Sequence, residues 1–592
     1  MSRTVANPES LTELEKRVVE EINDEEPWAL LEEFSELERV SGTDDEKRAA
    51  EYICDRLEAH GVSYDRYDPE LYISQPHDAK VRTLNRDFDF GPVKTVSFSA
   101  STAVSGDVEY VGSVESDITG GQGFVKPYED VGDLDGKIAL TDAGSLSIRA
   151  TTVLEEKGAA GVIAVHEHER EPHNGIATPV WGGAPPLEDK ERIPDVPVVN
   201  IRKPDGEQLR EWAQSNEGLS VKLETDLTTD WMECPVVVAR IDGKKEPEND
   251  DFVLLHGHYD SWYVGITDNA TGNAGLLECA RVFNEHRDEL KRDLWVAWWP
   301  GHSTGRYAGS TWFVDEFAHD LVEGCVAQVN MDSPGAKGAT EYTDMTCWMP
   351  EANAVVAGAI DDVTGAPRRE NRPPRAGDYS FNNLGITGFF MLSSNIPKEI
   401  RDERGWHQVG GCGGNADAWH LTTDTLDKAG LDELVRDIRV YAVSVLRVLN
   451  SDVLPLDHRH NLERHIEVVE EYDETAGEAF DLGETLSELE DLHDRLTDFY
   501  DRVERGEVDN ERANETIKRL SRILTRLNFT SEGQYRQDPA VNRPPYPRLA
   551  PVERFDEFDR STDDYRFLQL QLKREQNYIV SELREAKKAV RR

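Results

Sequence analysis

FVLLHGHYDSWYVGITDNATGNAGLLECARVF, residues 252–283, decides the fold. Its opening apolar run reads as a strand covered on both faces. The run ends in His258, Tyr259 and Asp260, passes through a loop rich in Gly, Asp and Asn, and continues as a helix, GNAGLLECARVFNEH. The same alternation recurs in LWVAWW (294–299), TWFVDEFAHDL (311–321), CVAQVNMD (325–332), ANAVVAGAIDDV (352–363) and a long helix after Asp427. Continuous apolar strands alternating with amphipathic helices predict an α/β fold: a mostly parallel sheet with helices on both faces. Any site then lies beyond the carboxyl ends of the strands.

Outward from this core the texture changes. Upstream, SGTDDEKRAAEYICDRLEAHGV (41–62) opens with Thr43 and Glu46 spaced as a capping box, and Ala49, Ile53 and Leu57 repeat at helical spacing. Residues 92–235 are short β-rich runs such as VPVVNI (196–201), the pattern of a compact inserted domain. After residue 453 the chain is helical and charged, with Leu482, Leu486, Leu489, Leu492 and Leu496 on one stripe. That stripe fits packing within the chain and a subunit interface equally well. The expected divisions are 1–91 and 236–452 for the α/β domain, 92–235 for the insert, and 453–592 for a helical bundle.

The 592 residues carry 66 Lys plus Arg against 116 Asp plus Glu, a net charge of -50 that disfavours nucleic acid and anionic membranes as partners. Such a surface repels itself in dilute buffer and is screened in concentrated salt, which predicts a halophilic source. The polar amino terminus has no apolar stretch suited to a signal peptide, and no window reaches the length of a membrane span. Six scattered cysteines suggest neither a disulfide framework nor a thiolate zinc site. The expected location is a reduced cytoplasm.

The residues that carry chemistry sit at strand ends. His258 and Asp260 share a strand face. Asp268 follows in GITDNATGN, Asp332 closes the strand ending NMD, and the Gly-rich loop GGCGGNADAWH delivers His420. Imidazole nitrogen and carboxylate oxygen together suit zinc, and a carboxylate between two imidazole sites can bridge a pair of ions. Asp260 would orient His258 or a neighbouring catalytic group. Any one of these alone is better explained as a satisfied buried His or a turn-capping Asp, whereas four at strand ends point to a site.

HGHYDSW, TDNATGNAGLLECAR, VNMDSPG and WHLTTDTLDK, in this order and spacing, resemble the metal-site motifs of the zinc exopeptidases that include aminopeptidase Y, glutamate carboxypeptidase and the transferrin receptor. The resemblance covers residues 25–450. It implies hydrolysis of a terminal peptide bond, a peptide substrate and two divalent ions, zinc first among them. It makes His258 and Asp332 ligands of different ions, His420 a further ligand, Asp268 the bridging carboxylate and Asp260 the supporting aspartate. GKIALTDAG (136–144) and EEKGAAGVIAV (155–165) resemble a protease-associated domain, and the helical tail resembles a homodimerisation region.

The family's Glu-Glu pair, one general base and one metal ligand, is missing here. The segment reads WWPGHSTGRYAGSTW (298–312), and no carboxylate occurs between Asp293 and Asp315. Counting forward from Trp299 puts His302 and Ser303 on the pair; counting back from Gly309 puts Ser303 and Thr304 there. His302 then stands either as a substitute base, its ordinary pKa of about 6.5 suiting proton transfer, or as a ligand, with Ser303 a weaker ligand candidate. Arg306, beside Tyr307, is a candidate for an oxyanion. Arg372 and Arg375, in the Arg-rich stretch 367–380, are candidates for a substrate carboxylate, and Tyr379 for substrate contact. Two alternatives stand beside the peptidase: a non-catalytic receptor-like dimer, and a single-zinc transferase resembling glutaminyl cyclase.

Overall fold

The computed structural model describes residues 5–112, 131–142, 148–244, 250–390 and 392–591. Six strands form the first sheet, in the order Ser63–Tyr67, Val236–Ile241, Asp293–Trp299, Phe252–His258, Cys325–Asn330, Gly388–Phe389. Phe252–His258 lies at its centre, parallel to both neighbours, and the first two strands are antiparallel at one edge. Period-two alternation explains why the central strand is apolar throughout. Val253 and Leu255 enter a core shared with helices Glu25–Phe34, Thr271–Glu285 and Leu431–Asn450, while Phe252 and Leu254 pack on the opposite face with Phe313 and Leu321.

The second sheet has seven strands, including Ile138–Thr141, Gly161–Val165 and Val198–Ile201. Of the GKIALTDAG run, Ala143 and Gly144 lie outside the described residues. This sheet begins upstream of the expected residue 92, because strand Glu70–Thr83 pairs along its length with Ser220–Glu233. Ser63–Tyr67 pairs in turn with Val236–Ile241. The outgoing and returning chain thus remain side by side between the sheets, a pairing of distant segments that local texture does not reveal.

Helices His458–Ala476, Gly483–Glu504, Asn510–Phe529 and Asp563–Arg591 make up the helical region. The leucine stripe is covered by the chain itself: Leu482, Leu489, Leu492 and Leu496 are buried, and their helix packs between His458–Ala476 and Asp563–Arg591. Buried Arg522 fastens this region to the first sheet, donating to the carbonyls of Leu321, Val322 and Cys325. The approach is close at Gly385, with φ of 77°, where a Cβ would stand 2.3 Å from the Arg522 carbonyl oxygen. All six cysteines are buried free thiols. Among the described residues, no helix is long and apolar enough to cross a membrane.

Candidate metal centre

Four loops meet above the carboxyl ends of the parallel strands. His258 is the last residue of Phe252–His258, Asp332 follows Cys325–Asn330, and Asp268 sits in the irregular turn Ile266–Ala270 before helix Thr271–Glu285. His302 comes from the loop after Asp293–Trp299, and His420 from the Gly-rich loop. His258 Nε2 stands 3.2 Å from Asp268 Oδ1 and 3.9 Å from Asp332 Oδ2. Asp268 Oδ2 lies 2.9 Å from His420 Nε2, so its carboxylate spans the two imidazoles. Ligand atoms of His258, His302 and Asp332 all lie within 4.8 Å of one another.

This donor set fits a divalent cation. His258 Nδ1 bonds the Asp260 carbonyl at 3.0 Å, which directs Nε2 at the carboxylates. Nε2 is buried and makes no well-directed hydrogen bond, and its near neighbours are the Asp268 and Asp332 carboxylates, surroundings that suit a cation. Burial opposes a charge on His258, but Asp260, Asp268 and Asp332 outweigh it and hold the imidazole well above its ordinary range. Burial alone would raise Asp268; the two histidines pull it well below the usual carboxylate range. Burial pushes Asp332 up to about 6. Asp378 and Asp424 add further buried carboxylates, and the pocket attracts positive charge.

The loops are held by residues that sequence reading missed. Arg39 is fully buried and donates to the carbonyls of Tyr259 (2.8 Å), Val264 (2.8 Å), Gly265 (3.0 Å) and Phe34 (3.3 Å), bracketing the chain between His258 and Asp268. Asn269 Nδ2 donates to the carbonyls of His258 and Met331, and its Oδ1 accepts from Ser333 N, joining three ligand-bearing segments. Asp424 accepts from Thr267 N, Thr267 Oγ1 and Asp268 N. Only Asn269 and Asp424, inside quoted motifs, left a trace in the sequence. Arg39 acts across 220 residues and left none.

Asp260 does not face the cavity between the ligands. Its Oδ1 accepts from His302 N at 3.1 Å and its Oδ2 from Ser303 N at 3.3 Å, so it positions the altered loop as well as His258. The His302 ring stacks on His258 with centroids 3.8 Å apart and planes at 20°. His302 Nδ1 donates to Asp378 Oδ2 at 2.6 Å, and Asp378 Oδ1 accepts from Ser310 Oγ at 2.8 Å. Burial works against the Asp378 charge, yet His302 holds this carboxyl below its ordinary value.

The proposed substrate contacts are corrected. Arg372 donates to the Asn528 side chain and carbonyl and lies 3.7 Å over the Phe529 ring. Arg375 donates to the carbonyls of Tyr379 and Asp538 and to Gln537 Oε1, and covers Trp181. Both guanidiniums grip the helical region, through Asn528 for Arg372 and through Gln537 and Asp538 for Arg375, where a substrate carboxylate was expected. Tyr379 is buried and donates to the Phe390 carbonyl. Arg306 donates to the Ala540 carbonyl and the Tyr307 hydroxyl, so its guanidinium is engaged by the protein's own oxygens. The second sheet's unit instead reaches the site: His173 lies 4.4 Å from His420, and Trp181 4.2 Å from Tyr307, ring to ring.

Residues 236–443 match the model of peptidase family M28. A probable glutamate carboxypeptidase VP8 of Zea mays is 25% identical over 247 residues, 39% of this chain and 33% of that protein. An inactive zinc metalloprotease, C354.09c, of Schizosaccharomyces pombe is 23% identical over 300 residues, 49% of this chain and 36% of that protein. The matched part of this chain thus spans about a third of either relative's length. Among solved structures, the aminopeptidase from Aneurinibacillus sp. strain AM-1 superposes with a TM-score of 0.55 at 19% identity, covering 73% of this chain and 95% of that one. That likeness is one of fold.

Proposed function

We propose that this chain is a metal-dependent exopeptidase that hydrolyses a terminal peptide bond. The observation that carries the reading is the convergence of His258, Asp268, Asp332, His302 and His420 in one buried cluster, inside the segment that matches peptidase family M28. A divalent ion held there, zinc first among candidates, supplies Lewis-acid chemistry toward water and an amide carbonyl. Asp260 and Arg39 keep the ligand loops in place, and His302 offers a ring nitrogen beside the reacting groups. His173 and Trp181 bring the unit of the second sheet against His420 and Tyr307 at the edge of the site.

The chain is supplied with zinc in molar salt and a mixture of peptides with free or blocked termini. Release of single amino acids from one end, abolished by blocking that end, is the expected result. A second reading is favoured by one observation, the absence of any carboxylate between Asp293 and Asp315: a binding protein built on a peptidase site. Retained zinc with no release from any peptide establishes that reading and overturns the first.

A further inference from the structure

Resting on the metal-centre reading above, we propose that His302 is a metal ligand positioned by Asp378, and that the centre holds one ion tightly where the motifs suggested two. His302 Nδ1 is 2.6 Å from Asp378 Oδ2, so Nδ1 donates there and Nε2 is the ring nitrogen left to face a cation. A carboxylate behind a histidine is the arrangement that fixes the ring and raises its basicity as a ligand. Asp378 is completely buried, and its second oxygen is occupied by Ser310 Oγ, so its orientation is fixed as well.

The ring then lands in the right place. It lies against the His258 ring, and a ring nitrogen of His302 falls within 4.8 Å of ligand atoms of His258 and Asp332. Asp268 Oδ1 stands beside them, 3.2 Å from His258 Nε2. His258, His302 and Asp332 would supply three protein ligands, the number usual at a catalytic zinc, with the fourth position open to water.

The neighbouring position is poorer. His420 Nε2 and Asp268 Oδ2 close on each other at 2.9 Å. The altered loop offers that position no carboxylate. Ser303, in register with the lost ligand when counted forward from Trp299, is fixed through its backbone N–H to Asp260 and can add only a neutral hydroxyl. One imidazole and one shared carboxylate fall short of the three protein ligands usual at a catalytic zinc. The loss of the Glu-Glu pair therefore moves ligation toward His302 and leaves the His420 position weak.

The test uses cobalt(II) as probe on the full chain in molar salt, reading ions bound per chain and the visible absorption band. The wild type takes one ion per chain. Asp378→Asn, which preserves shape, weakens cobalt binding by about 10- to 100-fold and shifts the band. His302→Ala loses the band, and added imidazole restores it, while His420→Ala keeps both stoichiometry and band. A merely structural role for Asp378 would change the unfolding midpoint and leave the spectrum of bound cobalt alone. Two equally tight ions in the wild type, or an unchanged band in His302→Ala, overturns the proposal and leaves the metal-centre reading standing. No cobalt bound by the wild type overturns both.

Discussion

Replacing Arg39 by Met removes the buried charge that ties the His258–Asp268 segment to the preceding helix. Four carbonyls lose a charged donor at 2.8 to 3.3 Å. At about 1.5 kcal/mol for each such bond, the gross loss is roughly 6 kcal/mol. Against this stands the cost of burying the guanidinium. Burial drags Arg39 from 12.5 to about 10 despite Asp260, Asp424 and Asp268. That difference corresponds to roughly 3 kcal/mol, which the methionine no longer incurs. The expected net destabilisation is therefore about 3 kcal/mol. Urea unfolding of the metal-free protein in molar salt measures it, and zinc titration of the folded variant reads the effect on the site. The variant should bind zinc more weakly, because the carbonyls of Tyr259, Val264 and Gly265 set the distance between two ligands. A change below about 0.5 kcal/mol with unaltered zinc affinity would refute the reasoning.

Three further expectations follow from the same packing. Glu351 is buried and pushed up from 4.5 to about 7, its Oε1 accepting from Thr387. A carboxyl raised on folding binds more protons in the native state, so stability falls as pH rises from about 4.5 and the loss is complete above about 7. Glu351→Gln should remove roughly 3 kcal/mol of that decline between pH 4.5 and 8, and parallel pH profiles for variant and wild type would contradict it. Arg375→Ala should destabilise by about 2 to 4 kcal/mol while leaving the ratio of acidic to neutral peptide turnover unchanged; a selective loss on acidic peptides would restore the guanidinium as a substrate contact. With a net charge of -50, the unfolding midpoint should rise as salt goes from about 0.1 M to about 1 M, where the screening length shrinks from about 10 Å to about 3 Å. Equal midpoints would remove the argument from charge.

The parallel core and its strand-end ligands were legible because both rest on local signals. An apolar run stopping at His258 marks a strand and its end together, and Asp332 and Asp268 lie beside comparable stops. Long-range partners carry no such mark. Arg39 reads as one more charged residue after a helix, yet it is buried under the ligand loops. Asp378 reads as one more residue of the Arg-rich stretch, and its tie to His302 depends on two loops whose sequences do not specify each other. Arg372 and Arg375 misled for the same reason: residue type indicated what a guanidinium grips, and only the packing of helix Asn510–Phe529 and the segment after it decided which oxygens were within reach. The strand Glu70–Thr83 escaped because its pairing partner lies beyond residue 219.

The central claim, that this site is a metal-dependent hydrolytic centre, is tested most directly by measuring peptide turnover while zinc is stripped and returned in known amounts. The account predicts that turnover vanishes on chelation and rises in proportion to zinc, reaching its plateau near one ion per chain. Zinc bound at full occupancy with no turnover, or turnover undiminished in the stripped protein, would contradict it.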